Sequence, residues 1–176
     1  KKHDGYMTAD SDLGKGSTFS IYLAASSHDV EPERRSEEPL RGKGKILIMD
    51  DEQAVREVAG ELLGFLGYWV GHAEDGAEAI ARYREASASG EPFDLVIMDL
   101  TVPGKMGGKE AIQRLLEIDP HVRAIVSSGY SNDPIMADYA QYGFKGVMAK
   151  PYKLDQLSKI LHQVMASGGK DHTPEK

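Results

Sequence analysis

The segment FDLVIMDLTVPG, residues 93–104, sets four consecutive apolar residues directly before an aspartate, Asp99. An uninterrupted apolar run of this length is typical of a strand buried on both faces, as in parallel sheets. The segment KILIMDDE, residues 45–52, repeats the pattern and ends in two adjacent aspartates. Because buried charges are usually paired or bound to metal ions, two such strand ends predict a site that holds a cation.

Around these two segments, apolar runs of strand length alternate with helical periodicity. The predicted strands span residues 45–49, 68–73, 94–98, 122–127 and 144–149. Each strand is followed by apolar residues at helical spacing, which predicts five helices. Strict alternation favours parallel strands joined by right-handed crossovers, with helices on both faces. We therefore expect an α/β, flavodoxin-like fold: a doubly wound five-stranded parallel sheet of order 2-1-3-4-5, with the strands of this region numbered in chain order.

Composition divides the 176 residues into four parts. Residues 1–25 contain two short strand-like runs around a glycine turn and predict a β-hairpin. Residues 26–44 carry two prolines, many charges and few apolar side chains, so we interpret them as a flexible linker. Residues 45–166 are patterned throughout, and residues 167–176 are expected to form a disordered tail.

Bulk properties exclude several functions. The formal net charge is −7 and no Lys/Arg cluster is present, so we expect no nucleic-acid partner. The absence of cysteine excludes disulfides, thiol catalysis and thiolate metal sites, and it fits a reducing compartment. No apolar run approaches the ~18 residues of a membrane span, and the first ten residues lack a signal-peptide core. We expect a cytoplasmic location without membrane contact by this segment. Since the sequence lacks an initiator Met, we also expect it to be part of a longer protein, whose other parts could be attached to a membrane.

The predicted sheet brings polar side chains together at one edge. Its order makes the first and third strands neighbours, so Asp50, Asp51 and Asp99 should converge there. Their mutual repulsion calls for a cation, and oxygen ligands without nearby Cys or His favour Mg²⁺. Ser127 and Lys150 end the fourth and fifth strands and add a hydroxyl and an ammonium group. This combination suits phosphoryl transfer, with Asp99 as the candidate nucleophile.

Each of these residues is ambiguous when it is considered alone. An aspartate after a strand is usually a turn or N-cap residue, and a lysine before proline is usually a solvated loop residue. A serine by itself carries almost no information. The prediction therefore depends on the combination of an acidic pair, an aspartate, a hydroxyl and a lysine at four strand ends of one sheet.

Residues 45–166 resemble the response-regulator receiver domain, the phosphoacceptor module of two-component signalling. The resemblance covers the whole patterned region and rests on five motifs: MDDE at 49–52, MDLTVPG at 98–104, Gly107, SSGY at 127–130 and KPY at 150–152. It implies that Asp99 accepts a phosphoryl group from a phosphohistidine on a kinase.

The resemblance also implies a role for each residue of the site. Mg²⁺ would be bound by Asp51, Asp99 and the backbone carbonyl of Thr101, with Asp50 helping through a water molecule. The phosphoryl oxygens would be contacted by two further side chains, those of Ser127 and Lys150.

Two details of the last strand concern signalling. Many receivers have Tyr or Phe three residues before the lysine, whereas this chain has Val147. We interpret Val147 as a core residue, so a signal carried by the fourth helix would need another route. The tight reversal after Lys150, together with the resemblance, predicts a cis bond between Lys150 and Pro151.

The front segment carries a second resemblance. Phe19, Ile21 and Leu23 alternate with polar residues, which predicts a half-buried strand. The sequence DLGKGSTFSIYL, residues 12–23, is similar to the last glycine motif and final strand of the histidine-kinase ATP-binding domain. The resemblance implies that the chain is the C-terminal end of a hybrid sensor histidine kinase. Because the rest of the nucleotide pocket is absent, we do not expect this chain to bind ATP.

The leading hypothesis is a phosphoacceptor module of a phosphorelay. Its partners would be the dimerisation and phosphohistidine domain of a histidine kinase, and downstream a histidine phosphotransfer protein. The enzyme question stays open, since without a kinase core the chain would at most catalyse its own phosphorylation and dephosphorylation. The alternative is a Mg²⁺-dependent phosphohydrolase with an aspartate nucleophile, although the haloacid-dehalogenase pattern would require aspartate at position 101. A nucleotide-binding oxidoreductase is disfavoured, because the acidic segment after the first strand would repel a pyrophosphate.

Overall fold

The computed structural model describes residues 5–25, 39–129 and 134–166. Contacts divide the chain into two units, Lys1–Arg35 and Ser36–Lys176. Most of the predicted linker, residues 26–38, and the predicted tail, residues 167–176, lie outside the described residues.

The first unit contains the predicted hairpin. Strands β1 (Tyr6–Asp12) and β2 (Gly16–Tyr22) pair in antiparallel register. The turn between them is closed by a 3.0 Å hydrogen bond from Lys15 N–H to the Asp12 carbonyl, and Gly14 has a φ of 80°, which favours glycine. Side chains on both strands are exposed, apart from one that is half-buried, so the apolar residues predicted to be half-buried remain open to solvent here.

The second unit is built on a parallel sheet. Its strands are β3 (Lys45–Met49), β4 (Trp69–Ala73), β5 (Leu95–Asp99), β6 (Ala124–Ser128) and β7 (Gly146–Ala149). The order β4-β3-β5-β6-β7 corresponds to 2-1-3-4-5 within this unit, which confirms the predicted fold.

Four strands begin later than predicted, β4 and β5 by one residue and β6 and β7 by two. Val122 and Phe144 are buried, so they appeared to be strand residues in the sequence. Their N–H groups, however, bond to preceding turns, at the carbonyls of Asp119 (3.1 Å) and Tyr139 (3.2 Å). Burial and sheet pairing are therefore separate properties at these positions.

The described part of this unit has five α-helices, as predicted: four connect successive strands and the last follows β7. They are α1 (Gln53–Leu66), α2 (Gly76–Ala88), α3 (Gly108–Ile118), α4 (Pro134–Ala137) and α5 (Leu154–Ala166). The fourth has only one turn and is followed by a 3-10 helix at Tyr139–Tyr142. Among the described residues, no helix has both the length and the apolar composition needed to cross a bilayer.

The core has two layers, one on each face of the sheet. Leu47 and Val126 point into the layer formed with α2, α3 and α4. Ile46 and Ile125 point into the layer formed with α1 and α5. This alternation follows from the two-residue period of a strand, and it leaves the central strands β3, β5 and β6 buried on both faces.

The chain enters this unit through a short hydrogen-bonded segment. Gly42 N–H donates to the Leu66 carbonyl at 2.9 Å, and Trp69 N–H donates to the Gly44 carbonyl at 2.9 Å. The end of the predicted linker is therefore attached to the end of α1 and the start of β4. The assignment of residues 26–44 as a flexible linker stays a prediction.

Candidate functional site

The predicted site residues meet at the carboxyl ends of the strands. Asp50 directly follows β3, Asp99 is the last residue of β5, and Lys150 directly follows β7. Ser127 lies in β6 and is paired in register with Asp99. The strands β3 and β5 are neighbours, but the chain continues from β3 to β4 on one side of this pair and from β5 to β6 on the other side. Open α/β sheets bind ligands at such a switch point.

Glycines allow α3 to begin close behind the acidic strand end. A Cβ atom on Gly108 would lie 2.7 Å from the Asp99 carbonyl oxygen and 3.2 Å from Met98 Cβ. A Cβ atom on Gly107 would lie 2.5 Å from the Leu100 carbonyl oxygen. Because Cβ atoms do not approach oxygen this closely, only glycine permits this packing, and it fixes the backbone below the site.

Three carboxylates form a cluster. One oxygen from each of Asp50, Asp51 and Asp99 lies within 4.8 Å of the others. Asp50 is fully buried and Asp99 is 8 % exposed, whereas Asp51 faces solvent. Asp50 Oδ1 accepts a 3.1 Å hydrogen bond from the Glu52 N–H. The cluster is thus closed on the side of the sheet and open toward solvent at Asp51.

Lys150 joins two of these carboxylates. Its Nζ lies 2.5 Å from Asp50 Oδ2 and 3.0 Å from Asp99 Oδ2, and its side chain is 14 % exposed. Burial alone would lower the pKa of Lys150, but its contacts with the two carboxylates outweigh burial and raise that pKa. Lys150 therefore remains a charged ammonium group. The Lys150–Pro151 peptide bond is cis, as predicted.

One buried oxygen in the cluster lacks a hydrogen bond. Asp50 Oδ2 has no hydrogen-bond partner, and the 2.5 Å ion pair with Lys150 compensates its charge without meeting hydrogen-bond geometry. One ammonium group shared by Asp50 and Asp99 still leaves three clustered carboxylates with excess negative charge, which a second cation would relieve. Together with the hard oxygen donors, this fits a Mg²⁺ site.

The environment of Asp99 disfavours its charged form. Burial raises the pKa of Asp99, and the neighbouring charge of Asp50 raises it further. The contact with Lys150 and a hydrogen bond from the Thr101 N–H act in the opposite direction without cancelling the rise. Thr101 itself is exposed in the loop after β5. Additional positive charge at this site would favour the ionised carboxylate.

Ser127 has a partner that the sequence interpretation did not include in the site. Its side chain is fully buried, and its Oγ lies 2.9 Å from the hydroxyl oxygen of Tyr152. Burial, the largest effect, raises the pKa of Tyr152 to about 12, so the phenol is protonated. The feature of the sequence that could have indicated this contact is the position of Tyr152, two residues after Lys150 in the same turn.

Val147 lies in β7, opposite Val126 of β6. It is partly buried and packs against the core layer of α2 and α3. This placement agrees with the interpretation of Val147 as a core residue.

The family model for the response regulator receiver domain matches residues 46–162, about two thirds of the chain. The chain belongs to this family. It is a phosphoacceptor receiver domain of two-component signalling, and members of the family bind Mg²⁺ through an acidic cluster of the kind seen here.

Relatives place such domains in two settings. The chemotaxis protein CheY of Thermotoga maritima is 31% identical, and the match covers 68% of this chain and 96% of CheY. The sensor kinase CckA of Brucella abortus is 29% identical over 94% of this chain, which spans only 18% of the kinase. Because 94% exceeds the share of the receiver, the similarity to CckA includes residues outside it.

A solved structure supports the same fold. The crystal structure of the response regulator TrrA of Thermotoga maritima, in complex with Mg²⁺ and beryllium fluoride, superposes with a TM-score of 0.60 at 26% identity. The match covers 69% of this chain and 98% of TrrA.

Proposed function

We propose that Asp99 is the phosphoacceptor of this receiver and that the donor is a phosphohistidine on a histidine kinase. The observation that carries the proposal is the ammonium group of Lys150, which lies 3.0 Å from Asp99 Oδ2 at the end of β5. Ser127 is paired in register with Asp99 on the neighbouring strand, which brings a hydroxyl-bearing residue to the same edge of the sheet. Phosphoryl transfer depends mainly on such positioning and charge neutralisation.

The proposed reaction is a direct displacement at phosphorus. A carboxylate oxygen of Asp99 forms an O–P bond while the P–N bond of phosphohistidine breaks, and the bond's electron pair returns to the imidazole nitrogen. The product is an acyl phosphate on Asp99. Lys150 neutralises charge on one phosphoryl oxygen, and the Ser127 hydroxyl donates a hydrogen bond to another.

Mg²⁺ would be held by Asp51, Asp99 and the backbone carbonyl of Thr101, with Asp50 contributing through a water molecule. When it is bound, it supplies positive charge to the phosphoryl oxygens. The close approach of the three carboxylates, which share one ammonium group, supports this assignment. The related TrrA structure contains Mg²⁺ and beryllium fluoride, which supports it by similarity.

Helix α1 offers a surface for the donor. It begins two residues after Asp51, and Val58 and Phe65 on it are 53% and 55% exposed. These two residues are seven positions apart and therefore lie on one face of the helix. We infer that this face receives the apolar helices that carry the phosphohistidine, first in the kinase and then in a histidine phosphotransfer protein.

Residues 1–25 belong, in this proposal, to the end of a kinase ATP-binding domain, and residues 26–44 form the tether to the receiver at residues 45–166. The similarity to CckA beyond the receiver supports this arrangement, and so do the exposed apolar side chains of the hairpin. The parent protein would be a hybrid sensor kinase. The cytoplasm, where ATP supplies the kinase, is the proposed location of the reaction.

A Mg²⁺-dependent phosphohydrolase is not favoured. That alternative required a second aspartate at position 101, where the structure has an exposed threonine in the loop after β5. The family match describes a receiver rather than a hydrolase.

Incubation with Mg²⁺ and acetyl phosphate, followed by intact mass measurement, tests the assignment. The wild-type chain is expected to gain one phosphoryl group, and the Asp99→Asn variant none. Asp155→Asn, in the first turn of α5, serves as the matched control and should be labelled like wild type. An adduct that persists in Asp99→Asn would place the phosphoacceptor elsewhere.

A further inference from the structure

Tyr152 lies beside the site and contacts one of its residues. It lies two residues after Lys150 and two before α5, and its hydroxyl oxygen is 2.9 Å from Ser127 Oγ. The two residues are 25 positions apart in sequence. Ser127 is fully buried, so water does not compete for this hydrogen bond.

The hydrogen bond points toward one face of the sheet. Side chains alternate along β6, so Ser127 shares its face with Ile125, which belongs to the layer between the sheet and α1 and α5. Tyr152 packs against that same layer. Val147, at the position where many receivers have an aromatic residue, packs against the opposite layer. The Ser127 hydroxyl is therefore connected to α1 and α5 rather than to α3 and α4.

We propose that Tyr152 is a positioning residue for Ser127, which holds the serine hydroxyl toward the phosphoryl group on Asp99 and links phosphorylation to the α1–α5 layer. This rests on the proposed function, because the role of Ser127 as a donor to the phosphoryl group is assigned there. Tyr152 does not touch the reacting atoms in this scheme and acts through Ser127.

Each of the two hydroxyls has a single proton to donate, and this sets the direction of the hydrogen bond between them after phosphorylation. A serine hydroxyl has one proton and two lone pairs. Before phosphorylation, either Ser127 or Tyr152 can donate in their shared hydrogen bond. Once Ser127 donates its proton to a phosphoryl oxygen, Tyr152 must be the donor to Ser127 Oγ. The phenol can do so because it stays protonated, burial having raised its pKa to about 12.

The consequence is a directed chain of hydrogen bonds from Tyr152 to Ser127 to the phosphoryl group. Phosphorylation fixes the phenol in one orientation that the unphosphorylated state does not require. Because Tyr152 lies two residues before α5 and packs against the layer of α1 and α5, the change reaches that layer first.

The first test compares phosphorylation rates of the full chain with acetyl phosphate and Mg²⁺. Tyr152→Phe removes only the hydroxyl and should slow the reaction about two- to tenfold, the rate factor that corresponds to one net hydrogen bond. The double variant Ser127→Ala/Tyr152→Phe should be no slower than Ser127→Ala alone.

Tyr83→Phe is the matched control. Tyr83 is also buried, but it lies in the layer of α2 and α3, and its phenol donates a 2.7 Å hydrogen bond to Asp119. Its rate should equal that of wild type.

A wild-type rate for Tyr152→Phe would overturn the proposal, and so would rate losses that multiply in the double variant. Melting curves establish that each variant is folded.

A second measurement uses the unmodified phenol, so it tests the proposal even if Tyr152→Phe does not fold. With ¹³C-labelled tyrosine, the Tyr152 ζ-carbon resonance should shift when Mg²⁺ and beryllium fluoride are added to wild type, and should not shift in Ser127→Ala. If the resonance does not shift in wild type, the proposal for Tyr152 is wrong and the proposed function is unaffected. If the wild-type chain gains no phosphoryl group, both the proposal for Tyr152 and the proposed function are wrong.

Discussion

The hairpin and the five-stranded sheet are both built from strands that the sequence predicts, yet their side chains end in different surroundings. Phe19 and Ile21 in β2 are 65% and 67% exposed. Ile46 in β3 and Ile97 in β5 are 0% and 1% exposed. The hairpin has one stacked aromatic pair, Tyr6 with Tyr22 at 4.5 Å, whereas the sheet has helices on both faces.

The contrast shows that strand pairing and burial are independent requirements. A two-stranded ribbon satisfies its hydrogen bonds internally but has no second layer in which to bury apolar area, and such ribbons are marginal in water. The parallel sheet obtains that second layer from α2 and α3 on one face and α1 and α5 on the other. Apolar strand residues thus contribute to a stable core in one unit and to an exposed surface in the other.

The largest expected effect comes from removing a buried side chain of the sheet. Ile97→Ala should lower the free energy of unfolding by about 2–5 kcal/mol, since it leaves a cavity in a close-packed core. Phe19→Ala in the hairpin should change it by less than ~0.5 kcal/mol. Urea unfolding followed by circular dichroism measures both. Equal losses for the two variants would mean that the hairpin contributes to the receiver core.

A second difference is that, among the described residues, only the sheet brings three carboxylates close together. Asp51→Ala should weaken Mg²⁺ binding by about tenfold, or ~1.4 kcal/mol, because it removes one of three clustered ligands. Asp10→Asn in the hairpin is the control and should leave the affinity unchanged. The affinity is obtained by titrating Mg²⁺ against the melting temperature. Equal affinities for wild type and Asp51→Ala would rule out the assigned ligand set.

The negative charge of Asp99 should lower the unfolding free energy of the receiver when Mg²⁺ is absent. Burial raises the pKa of Asp99, so its stabilising contribution is complete below the unfolded-state pKa and is lost as pH rises through the folded-state pKa. Asp99→Asn should therefore raise the unfolding free energy of the receiver at neutral pH. The gain should disappear in acid, where the wild-type carboxyl is neutral as well. The test is to measure the unfolding free energies of wild type and Asp99→Asn from acid to neutral pH. A gain in stability that does not depend on pH would show that the charge of Asp99 is not its cause.

The smallest effect is expected from removing the hairpin altogether. The buried side chains of the described core all come from residues 46–164, so deletion of residues 1–25 should change the unfolding free energy of the receiver by less than ~0.5 kcal/mol. The matched comparison is denaturant unfolding of the full and shortened chains. A large loss on deletion would show that the two units stabilise each other.

The sequence was informative wherever one residue pattern had one physical meaning. The run at residues 95–98 predicted a strand buried on both faces, and the structure buries all four residues, with Asp99 at the end of the strand. The onset of β6 was less predictable, because Val122 is buried without pairing in the sheet. The periodicity at Ile135, Met136 and Tyr139 predicted a helix but could not show that one α-helical turn gives way to a 3-10 helix.

Within the site, position was predictable and contact was not. Strand order brought Asp50, Asp99 and Lys150 together before any distance was known. That Asp50 Oδ2 lacks a hydrogen bond depends on the path of one lysine side chain. The hydrogen bond between Ser127 and Tyr152 likewise depends on how the turn after β7 is folded. Side-chain directions of this kind are set by three-dimensional packing, which residue spacing does not encode.

The two strands of the hairpin pair only with each other among the described residues, so each has one free edge. Free edges present a row of backbone donors and acceptors to which another chain can add a strand. Because aromatic and aliphatic side chains flank these edges, two copies brought together would gain both hydrogen bonds and contact area. Self-association of this chain should therefore begin at the hairpin and rise with protein concentration, and a charged substitution such as Ile21→Lys should suppress it while leaving the acidic site intact.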